Sequence, residues 1–299
     1  MKNFNQLLEL ILVFFISVNV ISCSKDNEPE ITSFVMEKTY FEVPINQSKQ
    51  IFINNGSLDL DFSIIDNEMA NITYSLIKDD QNKPIGCLQI DAKKKGTFQL
   101  LITDKISNEN NTLTIKIVDT YLSINFSTSN HPLLTTSSSL FLINDEQHTF
   151  YLFTEDNMTH TLKKSCIGNY SFSLEKYDED YVPYLTLSYI SDNNGMPTNE
   201  NLPTTDYKFS LLGSSTSLYS IINYYLGVDW NSLKELANTS SIKHTQSNID
   251  SSSSTITNPL QTRDNSPESS ANIIMMEMNR GYSASGEIVK ESIPENILK

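Results

Sequence analysis

The chain has 299 residues, a formal net charge of −15 at pH 7 and only three cysteines. This length suffices for about two domains, and the negative charge repels phosphate backbones, which excludes nucleic acid as an expected partner. The cysteines are too sparse for a disulfide framework, so we predict that Cys87 and Cys166 are free, buried thiols. The four histidines have no ligand-like spacing, and we expect no metal and no cofactor.

Residues 1–22 have the pattern of a signal peptide. Lys2 supplies a short basic region, and the nearly apolar run at residues 7–21 is too short for a typical transmembrane helix. The run ends in Val-Ile-Ser-Cys at residues 20–23, which resembles the lipobox of bacterial lipoproteins. That resemblance implies cleavage before Cys23, acylation of its thiol (for example with palmitate) and lasting anchorage to a membrane.

Residues 23–30 are polar and acidic and contain no large hydrophobic side chain. This composition predicts a flexible tether. The stretch resembles the Ser-containing acidic segments that follow the lipidated cysteine in surface-exposed lipoproteins of Bacteroidetes. The resemblance implies a lipid-anchored protein of the bacterial outer membrane that is exposed at the cell surface.

Residues 31–119 show the two-residue period of β-strands. Between residues 58 and 64, apolar side chains alternate with Asp and Ser, which indicates a strand with one wet face. About seven such runs, separated by turn-forming residues, are typical of a β-sandwich. The segment 94–104, in which Gly-Thr precedes an alternating run, resembles a strand of bacterial Ig-like domains. The resemblance implies an Ig-like sandwich that acts as a spacer or adhesive module.

Residues 120–237 are also rich in strand-like runs, and short polar connections join them. We predict an antiparallel meander. Residues 168–172 and 184–189 loosely resemble strands of small lipocalin-like domains in Bacteroidetes lipoproteins, although the strands are too few to predict a closed barrel. The predicted fold class is mainly β: an Ig-like sandwich, then a second antiparallel β-rich domain with one or two short helices.

The hydrophobic period changes near the end of this second domain. Apolar residues over 218–225 follow helical spacing, with Ser217 as a cap and Gly227 as a stop. Asp229 is in position to cap a second short helix that carries Trp230. A final strand in place of the first helix is the alternative, because its residues are rich in Tyr and Ile.

Residues 238–299 are interpreted as a low-complexity, disordered tail. Up to about residue 272, Ser, Thr and Asn dominate the composition, and such segments cannot build a core. The run Ile273–Met276 is a small hydrophobic island that could dock on the preceding domain. Nothing after Gly281 resembles a domain.

The candidate ligand-binding residues are four aromatic side chains of the second domain: Tyr177, Tyr181, Tyr184 and Trp230. Aromatic rings suit both cores and binding surfaces, because they bury a large area while a polar edge stays wet. Strand alternation predicts that Tyr184 points to a mainly wet face. The alternative for the whole set is packing in the core or against the helices.

The sequence contains no nucleophile elbow, zinc-protease motif or phosphate-binding glycine loop, so we predict no catalytic residues and no enzyme. The leading hypothesis is a cell-surface lipoprotein, held on the membrane through Cys23, that acts as a binding or adhesion module for a glycan or protein ligand. Two alternatives stay open. One is a non-catalytic accessory or structural subunit of an envelope complex, and the other is a carbohydrate-active enzyme without recognisable motifs.

Overall fold

The computed structural model describes the chain in six ranges, which are residues 33–64, 68–156, 158–177, 180–241, 271–289 and 291–298. The predicted signal peptide, the tether and Cys23 lie outside these ranges. Within them the fold is mainly β, with fifteen strands and two helices, which confirms the predicted fold class. No helix of the described residues is long and apolar enough to cross a membrane.

The first seven strands form two sheets around one core. They are β1 (Tyr40–Pro44), β2 (Ser48–Ile53), β3 (Leu60–Ile64), β4 (Ala70–Lys78), β5 (Pro84–Ala92), β6 (Gly96–Asp104) and β7 (Asn110–Val118). One sheet has the order β1-β7-β6-β3 and the other β2-β5-β4, and only the β1–β7 pairing among them is parallel. Strand alternation directs apolar side chains between the sheets, where Leu88, Leu100 and Ile115 are fully buried.

The last eight strands close into an antiparallel barrel. They are β8 (Tyr121–Ser129), β9 (Ser138–Ile143), β10 (Thr149–Glu155), β11 (Leu162–Tyr177), β12 (Asp180–Ile190), β13 (Thr204–Ser210), β14 (Asn272–Glu277) and β15 (Ser283–Val289). Neighbours in sequence are neighbours in the barrel, and β15 pairs with β8 to close it. Alternate side chains such as Leu140, Leu185 and Met275 fill the interior and are fully buried. The inside of the barrel is therefore a hydrophobic core, as is usual for small barrels.

Two short helices cover one end of the barrel. α1 (Ser217–Leu226) packs four apolar residues on the barrel core and ends at Gly227, whose φ of 68° fits a left-handed cap. α2 (Trp230–Ser241) begins after Asp229, whose carboxylate accepts a hydrogen bond from the N–H of the second helical residue. The two helices, the stop and the Asp229 cap are confirmed. Ser217 is not the cap but the first residue of α1, and the alternative of a strand there is wrong.

The predicted tail over residues 238–299 is wrong for its C-terminal part. β14 and β15 lie within it and supply two of the eight barrel strands, which is why the barrel closes although residues 120–237 alone contain too few strands. The inward side chains of β15 come from Ala284, Gly286 and Ile288. Two of these three residues are small, so the strand shows almost no hydrophobic alternation. Residues 242–270 of the predicted tail lie outside the described residues.

Residues 291–298 join the barrel to the sandwich. Ile293 and Leu298 are buried in a third apolar cluster together with Phe141, on the outside of the barrel, and Val118, at the end of the sandwich. The segment also bonds to the sandwich directly, because Lys116 of β7 donates a hydrogen bond to the carbonyl of Leu298 (2.6 Å) and Lys38 forms an ion pair with Glu295. This C-terminal segment therefore acts as a clamp that positions the two domains.

Candidate functional site

The four aromatic residues predicted to bind a ligand do not form one surface. They lie on or next to the hairpin of β11 and β12. Alternation along the strands places Tyr177 and Tyr184 on one face of the hairpin and Tyr181 on the other. On this second face Tyr181 donates a hydrogen bond to Asn238 of α2 (2.6 Å), and the first residue of α2, Trp230, packs 5.7 Å from a ring of β11. The structure thus divides the set between two faces.

Tyr184 lies on the outer face of the barrel with Thr186 and Ser188, as alternation predicts, but its own side chain is buried there and is not wet. Its side chain is 2% exposed, because Lys208 of the next strand lies 4.2 Å from the ring centroid. Burial, together with a hydrogen bond to Tyr177, raises the pKa of Tyr184 to about 12. Period-two alternation identifies the face of a sheet, but it does not reveal which long neighbouring side chain folds over that face.

Trp230 and Tyr177 differ from each other in exposure: Trp230 is packed against other rings, whereas Tyr177 is accessible. Trp230 lies 5.2 Å from the ring of Tyr219 and donates its indole N–H to the Tyr219 carbonyl (3.0 Å), so it serves helix packing. Tyr177 is 55% exposed and is the only one of the four aromatic residues with more than half of its surface free. A four-residue aromatic platform is therefore not present at this place.

A groove of about 590 Å³ lies at the junction of the two domains. The sandwich contributes residues such as Ser48 and Lys49, while β8, α1 and the C-terminal segment form the other side. Its volume falls in the range of small-molecule sites, which often occur between domains. None of the four predicted aromatic residues lines it. Sequence analysis missed the groove because its walls come together only through the clamp formed by residues 291–298.

One buried hydroxyl in this groove lacks a partner. Ser123 of β8 lines the groove and is 2% exposed, and its Oγ has no hydrogen-bond partner among the described residues. A buried polar atom that stays unpaired costs about 1–3 kcal/mol. Because this Oγ has almost no accessible surface, it belongs to the wall of the groove and is not a group that a ligand in the groove can touch.

Three of the charged side chains at the groove, Glu42, Lys38 and Glu295, are engaged within the protein. The carboxylate of Glu42 accepts hydrogen bonds from the Tyr40 hydroxyl (2.7 Å) and from the backbone N–H of Asn296 (3.1 Å). Lys38 forms an ion pair with Glu295 across the two domains. Burial, and then the hydrogen bond to Glu42, raises the pKa of Tyr40 to about 12. These groups hold the groove together. Of the other charged side chains in its lining, Glu291 accepts a hydrogen bond from Ser139 (3.0 Å) and Lys49 lies over the ring of Phe41, so one positive and one negative charge balance there.

Tyr224 of α1 presents an aromatic face to the groove. The side chain is 46% exposed and meets the ring of Tyr225 edge-on at 5.0 Å. The carbonyl of Tyr225 in turn accepts a hydrogen bond from the hydroxyl of Thr120 (2.7 Å). The contact with Tyr225 therefore supports the edge of the Tyr224 ring, while the face of that ring stays accessible.

No protein-family model matches the sequence, and no curated protein matches it. Three solved structures of the surface layer protein SbsC show a weak likeness: domains 4–9, domains 5–6 and domains 1–6, with 9%, 9% and 11% identity and TM-scores of 0.24, 0.23 and 0.24. They match 62%, 59% and 58% of this chain, and this chain spans 33%, 95% and 25% of theirs. We base no conclusion on a likeness of this size.

Both cysteines of the described ranges are free and buried, as predicted. Burial raises the pKa of the Cys166 thiol to about 12. A thiol in this state is a poor nucleophile, because the thiolate is the reactive form. Cys166 belongs to the barrel core and contributes packing.

His131 is buried at the end of the barrel away from the helices. Burial, and then the charge of Arg280, lowers the pKa of His131 to about 4. The groups that face it are the carboxylate of Glu277, the guanidinium of Arg280 and the rings of Phe209 and Tyr282. The imidazole is therefore neutral at physiological pH.

We expect acid to destabilise the protein through His131. Between the ordinary pKa of 6.5 and the folded pKa of about 4, the unfolded chain binds a proton that the folded chain does not, so the free energy of unfolding falls as the pH falls. The full difference corresponds to roughly 3 kcal/mol. Urea unfolding at pH 7 and pH 4 measures this loss. His131→Asn keeps an acceptor near the Nδ1 position and should lose less stability over the same interval; an equal loss in both proteins would assign it to other groups.

Proposed function

We propose that the chain is a lipid-anchored, cell-surface binding module whose interdomain groove takes a neutral glycan. The observation that carries the proposal is the groove itself, which combines the volume of a small ligand, an exposed tyrosine face and a lining that contains uncharged polar side chains such as Gln47 and Ser48. Ligand sites are usually concave and often lie between domains, with a few placed polar groups that fix the orientation of the ligand.

The chemistry of the groove favours a neutral polyol over a charged ligand. The whole chain carries a net charge of −15, which repels anions at long range. Cations find the carboxylates Glu42 and Glu295 already engaged. A sugar ring, in contrast, has an apolar face that can stack on Tyr224 and hydroxyls that can hydrogen-bond to uncharged polar side chains of the lining such as Gln47 and Ser48.

The anchor is the second part of the proposal and rests on the lipobox resemblance at residues 20–23. A lipidated Cys23, followed by a polar tether, would hold the sandwich nearest the outer membrane and present the groove beyond it. Cys23→Ala should then remove the acyl chains, because no other cysteine lies beside the predicted signal peptide. Mass spectrometry of the membrane fraction tests this, and an unmodified Cys23 in the processed protein would refute it.

We expect Tyr224→Ala to weaken glycan binding and Tyr177→Ala to leave it unchanged. Loss of one stacking ring should cost about 1 kcal/mol, which is roughly fivefold in affinity. The full chain and both variants can be compared by affinity electrophoresis in gels that contain neutral polysaccharides such as dextran, mannan or xylan. Tyr177 is a matched control, because it is similarly exposed and lies outside the groove.

The same experiment separates the alternatives. If the polysaccharide gel retards Tyr224→Ala as strongly as Tyr177→Ala, the ligand binds outside the groove. Failure of all neutral polysaccharides to retard the full chain would favour the accessory-subunit hypothesis over the binding-module proposal. Release of reducing ends from a polysaccharide would favour an enzyme.

A further inference from the structure

A buried polar cluster lies at the least extensively paired seam of the barrel. β13 and β14 share only two residue pairs, Phe209 with Glu277 and Ser210 with Met276. Glu277 is the last residue of β14, so it lies at the end of the strand away from the helices. Its carboxylate is therefore placed where few backbone hydrogen bonds hold the barrel closed.

Arg280 binds this carboxylate from the turn after β14. Its Nε donates to Oε1 of Glu277 (2.7 Å), and its Nη1 donates to the carbonyl of Asn194 (2.9 Å). The guanidinium carbon lies 4.8 Å from the ring centroid of Tyr207. At Gly195, where φ is 79°, a Cβ would lie 2.3 Å from Nη1. Glycine at this position therefore leaves room for the guanidinium.

His131 approaches the carboxylate from the other side. Its Nδ1 accepts hydrogen bonds from the backbone N–H groups of Leu133 and Leu134, both at 3.1 Å. A neutral imidazole has one acceptor and one donor nitrogen, so Nε2 carries the proton. Nε2 lies 3.5 Å from Oε2 of Glu277, which is too long for a good hydrogen bond.

Three polar atoms of this cluster are buried and have no hydrogen-bond partner in the described part of the chain: Nε2 of His131, Oε2 of Glu277 and Nη2 of Arg280. The side chains of His131 and Glu277 are only 1% and 4% exposed. Unpaired buried polar atoms are rare, and several in one cluster indicate a bound water or ion.

The donor pattern identifies what can bind there. An anion would face the carboxylate of Glu277, and a cation would face the N–H groups of His131 and Arg280. The charges of Glu277 and Arg280 cancel, so a neutral molecule fits. That molecule must accept two hydrogen bonds and donate one, and a water held by about three polar partners does this.

We propose that His131, Glu277 and Arg280 hold one buried water molecule that completes the β13–β14 seam. The water accepts from Nε2 of His131 and Nη2 of Arg280 and donates to Oε2 of Glu277. It thereby links the loop after β8, the end of β14 and the following turn, which the backbone pairing of the seam leaves weakly connected.

A crystal structure of the full chain grown with sodium bromide tests the ligand directly. We expect one ordered water within about 2.7–3.2 Å of all three atoms and no anomalous bromide peak there. A bromide peak would show that the site binds an anion and would overturn the proposed water. A direct hydrogen bond between His131 and Glu277, with no density beside it, would overturn the proposal.

A solution measurement keeps the proposal testable without crystals. In the full chain with ¹⁵N-labelled histidine, the Nε2–H of His131 should show a rotating-frame Overhauser peak to water with the sign of a bound molecule rather than of proton exchange. The exposed His148 and His160 serve as internal controls and should show exchange only. Protonation of His131 at Nδ1, or the absence of a bound-water peak, would contradict the site.

Discussion

A chain that stops after residue 270 should lose the folded barrel, although it keeps six of the eight strands. The truncation removes β14 and β15, whose side chains Ile273, Met275 and Ile288 lie in the barrel core, and it leaves the edges of β8 and β13 unpaired. Trp230 is the only tryptophan of the chain and packs at the barrel end. Its fluorescence in a urea titration should therefore lose the cooperative transition.

The control for this truncation is a chain that stops after residue 290. It keeps all eight strands and loses only the clamp, so the Trp230 transition should survive at lower urea concentration. A cooperative transition like that of the full chain after truncation at residue 270 would show that β14 and β15 are dispensable. The original interpretation of a disordered tail would then be correct.

Tyr184→Ala should strongly destabilise the barrel. The ring is buried between the hairpin and Lys208, and removal of a buried aromatic side chain typically costs about 3–5 kcal/mol. Tyr177→Ala, on the same face but 55% exposed, removes the hydrogen bond to Tyr184 and little buried area, so it should lower the free energy of unfolding by only about 1 kcal/mol. Urea denaturation followed by Trp230 fluorescence measures both.

A third variant distinguishes the contribution of the Tyr184 ring to stability from that of its hydroxyl. Tyr184→Phe keeps the packing and loses only the hydrogen bond to Tyr177, so a cost of about 1 kcal/mol is expected. Equal, small losses for Tyr184→Ala and Tyr177→Ala would mean that Tyr184 is accessible in solution. The proposal of an aromatic platform on this hairpin would then return.

Local patterns in the sequence predicted much of the fold. Alternation identified β3, and helical spacing with Gly227 identified α1 and its end. Both signals come from residues within one element, where side-chain periodicity follows directly from backbone geometry. β15 was missed because Ala284 and Gly286 take two of its three inward positions. At Gly286 a Cβ would lie 2.0 Å from the backbone oxygen of Asn125, so no larger residue fits there.

The candidate site was much less predictable. Tyr184 is covered by a lysine of the next strand, and alternation alone contains no information about such contacts. The groove depends on Ser123, Tyr224 and residues 291–298, which are far apart in sequence and meet only because the barrel closes and its C-terminal segment returns to the sandwich. The buried cluster of His131, Glu277 and Arg280 likewise joins residues almost 150 positions apart, and no spacing motif could indicate it.

Hydrogen–deuterium exchange of the full chain, with and without the neutral polysaccharide fragment that binds best, tests the proposed site most directly. Ligand in the groove should slow exchange at residues 46–49, at 221–225 and at 291–295, which line it. Residues 171–184 on the aromatic hairpin should stay unchanged. Slower exchange at the hairpin, with the three groove segments unaffected, would contradict the groove as the binding site.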